Sequence, residues 1–167
     1  MKRRQFIKTS AAVATLAPAL GFRPSQASKS HLITFSFDDG FRKSFLKLAD
    51  IHEEYGLKAC LNIIASGHMP DFQQVDDWIL PELMGDFSDW NGLVARGHEV
   101  MPHSWQHLNL ARQEPYEAKK LISKCIVYFN ENLQGFDPSK AVFNFPFNAS
   151  TPALDLFTIK KVRAVRT

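Results

Sequence analysis

Short apolar runs that read as strands alternate along this chain with stretches whose apolar residues recur at helical spacing, and that alternation constrains the fold more than any other feature. Residues 31–40, HLITFSFDDG, give a β-branched and aromatic strand closed by a turn glycine. Residues 41–56 carry Phe41, Phe45, Leu48 and Ile51 at helical spacing and end at Gly56. Further strands are predicted at 58–64, near 98–101, at 141–145 and at 161–166, with helices at 86–96, 115–133 and 151–159. Residues 66–81 read as loop. Strands that alternate with helices must pair in parallel, because each helix carries the chain back along the sheet. The predicted class is therefore α/β. In such folds the functional site gathers at the carboxyl ends of the strands.

The first 27 residues stand apart. A basic cluster, MKRRQFIK, is followed by the apolar stretch TSAAVATLAPALGF and by small residues ending at Ala27, the three-part pattern of an export signal. Arg3 and Arg4, followed by Phe6, Ile7 and Lys8, resemble a twin-arginine signal, so an exported, periplasmic or extracellular protein is expected. The apolar run is short and broken by Pro18, which argues against a membrane anchor. Five of the 20 basic residues and none of the 17 acidic ones lie in this segment, leaving 15 against 17 in residues 28–167. That part has a formal charge of −2 and no basic patch, so nucleic acid is not its partner. It is long enough to form one domain with its own core. Cys60 and Cys125 lie in apolar runs without CxxC spacing and are expected as buried thiols, with a disulfide as the alternative in an oxidising compartment.

Two local patterns carry chemistry. Asp38 and Asp39 leave the first strand side by side, and they share one site only if the chain twists there, which Gly40 permits. A plain Asp-Gly turn with Asp39 capping the next helix is the alternative. In GHEVMPHSWQHLNL, residues 97–110, His103 and His107 are four apart and face one way if Ser104 starts a helical turn. Two imidazoles and a carboxylate suit Zn²⁺ with one position left for water.

These residues resemble the polysaccharide deacetylases that share the NodB homology domain, carbohydrate esterase family 4. FSFDDG is similar to the family's first motif, TFDDG, and HSWQH to its second, H(S/T)xxH, within the lead-in GHE. Asn144, Phe145, Pro146 and Phe147 align with its third, RxPY. The matches span residues 32 to about 150. The resemblance implies an irregular (β/α) barrel over residues 28–167, here incomplete with about five strands. Its open edge would be available for self-association. It further implies that Asp39, His103 and His107 hold a divalent metal, Zn²⁺ or Co²⁺, and that Asp38 is the general base activating water at the metal. A backbone N–H near Phe147, with Pro146, Asn144 and Trp105, would line the substrate and oxyanion side. The substrate would be an N-acetylated or O-acetylated glycan.

Two departures shape the expectations. Asn144 stands where the family has the arginine that pairs with the catalytic carboxylate, so Asp38 is expected to titrate higher. Family members also continue through further strands that carry a tryptophan motif and a Leu-x-His general acid. An inactive metal-bearing remnant and a glycan-binding module therefore stand beside the enzyme as readings. Of the other histidines, His98 is expected to pack or hydrogen-bond near a strand and His31 and His52 to lie at the surface; His68, in the loop after the second strand, has a packing reading with substrate contact as the alternative. Trp78, Trp90 and Trp105 have core or rim packing as their ordinary reading, and Trp105, between the two ligand histidines, is kept as the candidate to stack on a sugar ring.

Overall fold

The computed structural model describes residues 34–72 and 78–167. The export-signal pattern and His31 thus lie outside the described residues. Five strands alternate with four helices: β1 (Ser36–Phe37), α1 (Arg42–Glu54), β2 (Cys60–Ile63), α2 (Phe87–Ala95), β3 (Glu99–Pro102), α3 (Pro115–Asn132), β4 (Val142–Asn144), α4 (Pro152–Thr158) and β5 (Ala164–Arg166). Among the described residues these strands pair in parallel, and a single antiparallel bridge joins Phe41 and Met84 outside them. One sheet has the order β1-β2-β3 and a second holds β4 beside β5. This is the expected incomplete, irregular (β/α) barrel, open between its two sheets. Each strand ends within two residues of a side chain that matters below: Asp38, Asn62, His103, Asn144 and Arg166.

β2 is the central strand, and Leu61, Asn62 and Ile63 are fully buried. A core residue pair meets in its register, Leu61 against Val100. α3 covers the sheets with Ala118, Ile122, Cys125, Ile126 and Phe129, a stripe at helical spacing. Phe143, Phe145, Trp90 and Leu93 complete this core. Both cysteines are free thiols, Cys125 fully buried and Cys60 half-buried. Burial pushes the Cys60 thiol up to about 11, which keeps it protonated and inert.

The helices begin and end where their sequences direct. Asp86 caps α2, its carboxylate accepting the N–H groups of Ser88 at 2.8 Å and Asp89 at 3.2 Å, and Asp89 returns a bond to the cap in a capping box. Gly97, at φ +87°, closes the same helix. Thr151 caps α4 through the N–H of Leu154. Arg42 of α1 clamps Asp89 of α2 at 2.9 and 2.8 Å.

β1 stops at Phe37, because Asp39 and Gly40 leave the extended region at φ +85° and +98°. Ile51, expected on the buried face of α1, is exposed. It lies with Phe35, Phe37, Tyr55 and Leu57 in an apolar pocket on the outer side of β1, where no further strand is paired among the described residues. No helix among the described residues is long and apolar enough to cross a membrane.

Two stability measurements check this account. Asp86→Ala removes the α2 cap and should cost about 1 kcal/mol in urea unfolding, whereas the same change at an uncapped surface acid such as Glu131 should cost little. Arg96 and His98 hold the exposed Glu53 carboxyl down to about 2, from an ordinary value of 4.5. A depressed folded pKa stabilises fully above the unfolded value, and the benefit is lost as pH falls towards the folded one. The urea midpoint of the wild type should therefore fall between pH 4.5 and about 2, and Glu53→Gln should flatten that fall.

Candidate metal centre

The two aspartates at the end of β1 are neighbours in sequence but serve different partners. Asp39 itself adopts φ +85°, a left-handed conformation that costs on the order of 1 kcal/mol outside glycine and that Asp tolerates better than most. Gly40 continues the turn at φ +98°, and a Cβ on it would press to 3.3 Å from Ile63. Asp39 does not cap α1. That position is Phe41, which has no side-chain bond to the helix.

Asp39 faces the two imidazoles instead. Its Oδ1 lies 3.5 Å from His103 Nε2 and 3.4 Å from His107 Nε2. The helical turn expected to align these histidines does not form. Ser104 and His107 take φ +68° and +57°, and Ser104 Oγ accepts the His107 N–H at 3.0 Å. The reason lies in the neighbouring strand. The N–H of His103 donates to Ile63 O at 2.9 Å, and the N–H groups of Ala65 and Ser66 donate to Ser104 O and Trp105 O at 3.0 Å each. These bonds prolong the β2-β3 ladder and engage the carbonyls a helical turn would use. The imidazoles converge through a bend instead.

His103 Nδ1 lies 3.0 Å from the backbone carbonyl of Asn144. A carbonyl only accepts, so Nδ1 is the donor in this bond and Nε2 is the nitrogen turned to Asp39. Among the described residues, Asp39, His103 and His107 form the one group of three such side chains whose donor atoms lie within 4.8 Å of one another. Both histidines are buried and Asp39 is partly covered. Two imidazole nitrogens and a carboxylate oxygen fit a divalent ion of the zinc type, with room for a further ligand.

Asp38 turns to a different set. Its Oδ1 accepts from Asn62 Nδ2 at 2.7 Å and its Oδ2 from Arg166 Nη2 at 2.5 Å. Partial burial pushes its pKa up, but the bonds from Arg166 and Asn62 and the field of His103 outweigh it and hold the carboxyl below its usual range. The expectation that Asn144 would leave Asp38 without a cation is therefore corrected: Arg166, from the next strand, supplies one. Asn144 does not reach Asp38 directly. Its amide donates to Asn62 Oδ1 at 2.9 Å and to Val142 O at 3.0 Å.

The remaining expected residues divide. Phe147 sits at φ +59° in the turn Pro146–Asn148, half-exposed, its ring 4.8 Å from that of His107; Pro146 is buried beneath it. Trp105 is buried, with Lys124 Nζ 3.8 Å over its ring and Tyr128 edge-on at 5.4 Å, so its faces are engaged by the protein. Trp78 holds the outer position instead. It is half-exposed, stacks on Phe41 at 5.8 Å and meets His107 edge-on at 6.0 Å. His68 lies against Phe87 and Tyr128 and burial lowers its pKa. His98 bonds to Ala59 and Glu53 beside the sheet, as expected. Sequence reading missed Asn62 and Arg166. Asn62 announces itself only as the one amide in the apolar run CLNII.

A family model described as polysaccharide deacetylase matches residues 25–156. No curated protein sequence matches the chain. Solved structures of similar fold include a Streptococcus pyogenes deacetylase, PplD, in complex with acetate, 15% identical, TM-score 0.64, covering 86% of this chain and 57% of that one. A de-N-acetylase from Aggregatibacter actinomycetemcomitans is 13% identical, TM-score 0.63, covering 80% and 63%. The BpsB deacetylase domain from Bordetella bronchiseptica is 12% identical, TM-score 0.63, covering 94% and 76%. The chain thus spans about three fifths of the first two.

Calorimetric titration of the purified apoprotein with Zn²⁺ or Co²⁺ should give one site per chain. Asp39→Asn and His103→Ala should each weaken it by more than about 10-fold, the loss that removing even an outer partner of a ligand produces. Binding that survives both substitutions would disprove the centre.

Proposed function

Because the chain belongs to the polysaccharide deacetylase family, we propose that it is a metal-dependent hydrolase that removes acetyl groups from an N-acetylated or O-acetylated glycan. The observation that carries this reading is the division of labour between adjacent aspartates. Asp39 is turned onto two imidazoles, whereas Asp38 is bonded to an amide and a guanidinium. One carboxylate thus suits a cation, and the other remains an ionised base.

Asp39, His103 and His107 would hold the ion. When bound, it polarises the acetyl carbonyl and makes a water easier to deprotonate. Asp38 takes the proton of the attacking water, and its bonds to Asn62 and Arg166 fix the direction in which it does so. The new C–O bond forms at the acetyl carbon, the bond to the sugar nitrogen or oxygen breaks, and that atom leaves with the proton that Asp38 had taken from the water. Acetate and a free amine or hydroxyl result. The backbone N–H at Phe147 stabilises the oxyanion on the way. The half-exposed rings of Trp78 and Phe147, both against His107, offer apolar faces to sugar rings. Export to the periplasm or beyond, where such glycans lie, rests on the pattern of residues 1–27.

Acetate release from soluble N-acetylglucosamine oligomers and from acetylated xylan oligomers, with Zn²⁺ or Co²⁺ supplied, is the direct test. Asp38→Asn should bind the metal normally and lose activity by about 10²- to 10⁴-fold. Equal turnover in wild type and Asp38→Asn would refute the assignment of the base, and metal binding without acetate from any oligomer would favour a binding module.

A further inference from the structure

Arg166 lies 128 residues from Asp38 in sequence, yet its guanidinium joins two strands at once. Nη2 donates to Asp38 Oδ2 at 2.5 Å while Nη1 donates to Ser36 Oγ at 2.7 Å. Ser36 is the first residue of β1 and Asp38 follows its last, so both lie on one side of that strand. β5 and β1 belong to different sheets. A single side chain therefore crosses the opening of the barrel and clamps the strand from which the base projects.

Both partners are about two-thirds covered, Arg166 at 32% and Asp38 at 35% side-chain exposure. Screening by water is thus weaker here than for a surface ion pair, and the guanidinium fork fixes direction as well as distance. The second oxygen of Asp38 is held by Asn62, which Asn144 orients in turn. Asn144 and Arg166 are partners in the β4-β5 register. One rung of that two-stranded sheet thus controls both oxygens of Asp38, directly from Arg166 and through an amide relay from Asn144.

We propose that Arg166 is the positioning residue for Asp38, fixing the carboxylate from β5 across the gap to β1. Its catalytic consequence rests on the deacetylase reading above; the pairing itself does not. Arg166 touches neither imidazole in any bond described, so it acts on the base and not on the metal group.

The experiment uses the full chain and five variants: Arg166→Met, Arg166→Lys, Asp38→Asn, the double Asp38→Asn/Arg166→Met, and the exchange Asn144→Arg/Arg166→Asn. Urea unfolding of the metal-free proteins reads the pairing. In the wild-type background Arg166→Met should lower the midpoint, and with Asp38→Asn already present the same change should shift it less than about half as far. Additive shifts would overturn the proposal whether or not the protein is an enzyme. Turnover reads the consequence. Arg166→Met should lower kcat about 10- to 100-fold, the range expected when a reacting group is misplaced by about an ångström, with KM and Zn²⁺ affinity within about twofold of wild type. Arg166→Lys, lacking the fork, should recover only part of that loss. The exchange variant, which returns a guanidinium to the same rung, should recover more turnover than Arg166→Met retains. Unchanged kcat in Arg166→Met, or loss of Zn²⁺ binding together with kcat, would show that Arg166 does not position the base. Non-additive unfolding in a chain that releases no acetate would sustain the pairing and reject the deacetylase reading.

Discussion

Two carboxylates placed on consecutive residues repel each other, and the arrangement of this molecule follows from keeping them apart. The left-handed backbone at Asp39 sends the two side chains to different neighbours. One meets a pair of imidazoles, the other a guanidinium and an amide. Each of these partners arrives from the carboxyl end of a different strand. His103 follows β3, Asn62 lies in β2 and Arg166 ends β5. Remove the turn after β1 and the parallel strands would still stack, but they would converge on nothing in particular.

The buried polar groups show how the sheet and the site are one construction. Asn62 is fully buried in the central strand, where an unpaired amide would cost more than the bond it forms returns. Its oxygen and nitrogen are both engaged, by Asn144 and Asp38. His103 is fixed by the carbonyl of the same Asn144. Asn144 thereby serves both halves of the centre, its backbone carbonyl bonded to His103 and its side chain to Asn62, the support of Asp38. A network of this kind specifies a single arrangement, because any member left alone is a desolvated polar group.

Much of this was legible in the sequence, and the misses have physical causes. Asp38, Asp39 and Gly40 were readable because an apolar strand that stops in acids and glycine has few explanations. The α2 boundaries were readable to within a residue because Asp86 and Gly97 act locally. The convergence of His103 and His107 was foreseen, but through a helical turn; the bend that occurs depends on hydrogen bonds from β2, forty residues earlier, which no local pattern encodes. That Trp105 is buried and Trp78 half-exposed was unreadable for the same reason: the direction of a side chain in an irregular loop has no period to read. Arg166 was invisible as a partner of Asp38 because only the topology of two separate sheets brings them together. A departure at Asn144 looked like a loss until the neighbouring strand was considered with it.

The left-handed residues have a consequence for how the molecule moves. Asp39, Ser104, His107, Phe147 and Asn148 all hold positive φ without being glycine. They lie on the connections that follow strands, while the hydrophobic residues that offset the strain, Leu61, Ile63, Phe129 and Phe143 among them, lie in the strands and on the inner face of α3. Free energy is therefore distributed unevenly along the strand axis. The base of the sheet is the part that opens last, and the end that carries the carboxylates is the part where partial opening begins. A ligand arriving there would meet loops able to adjust without disturbing the core that aims them.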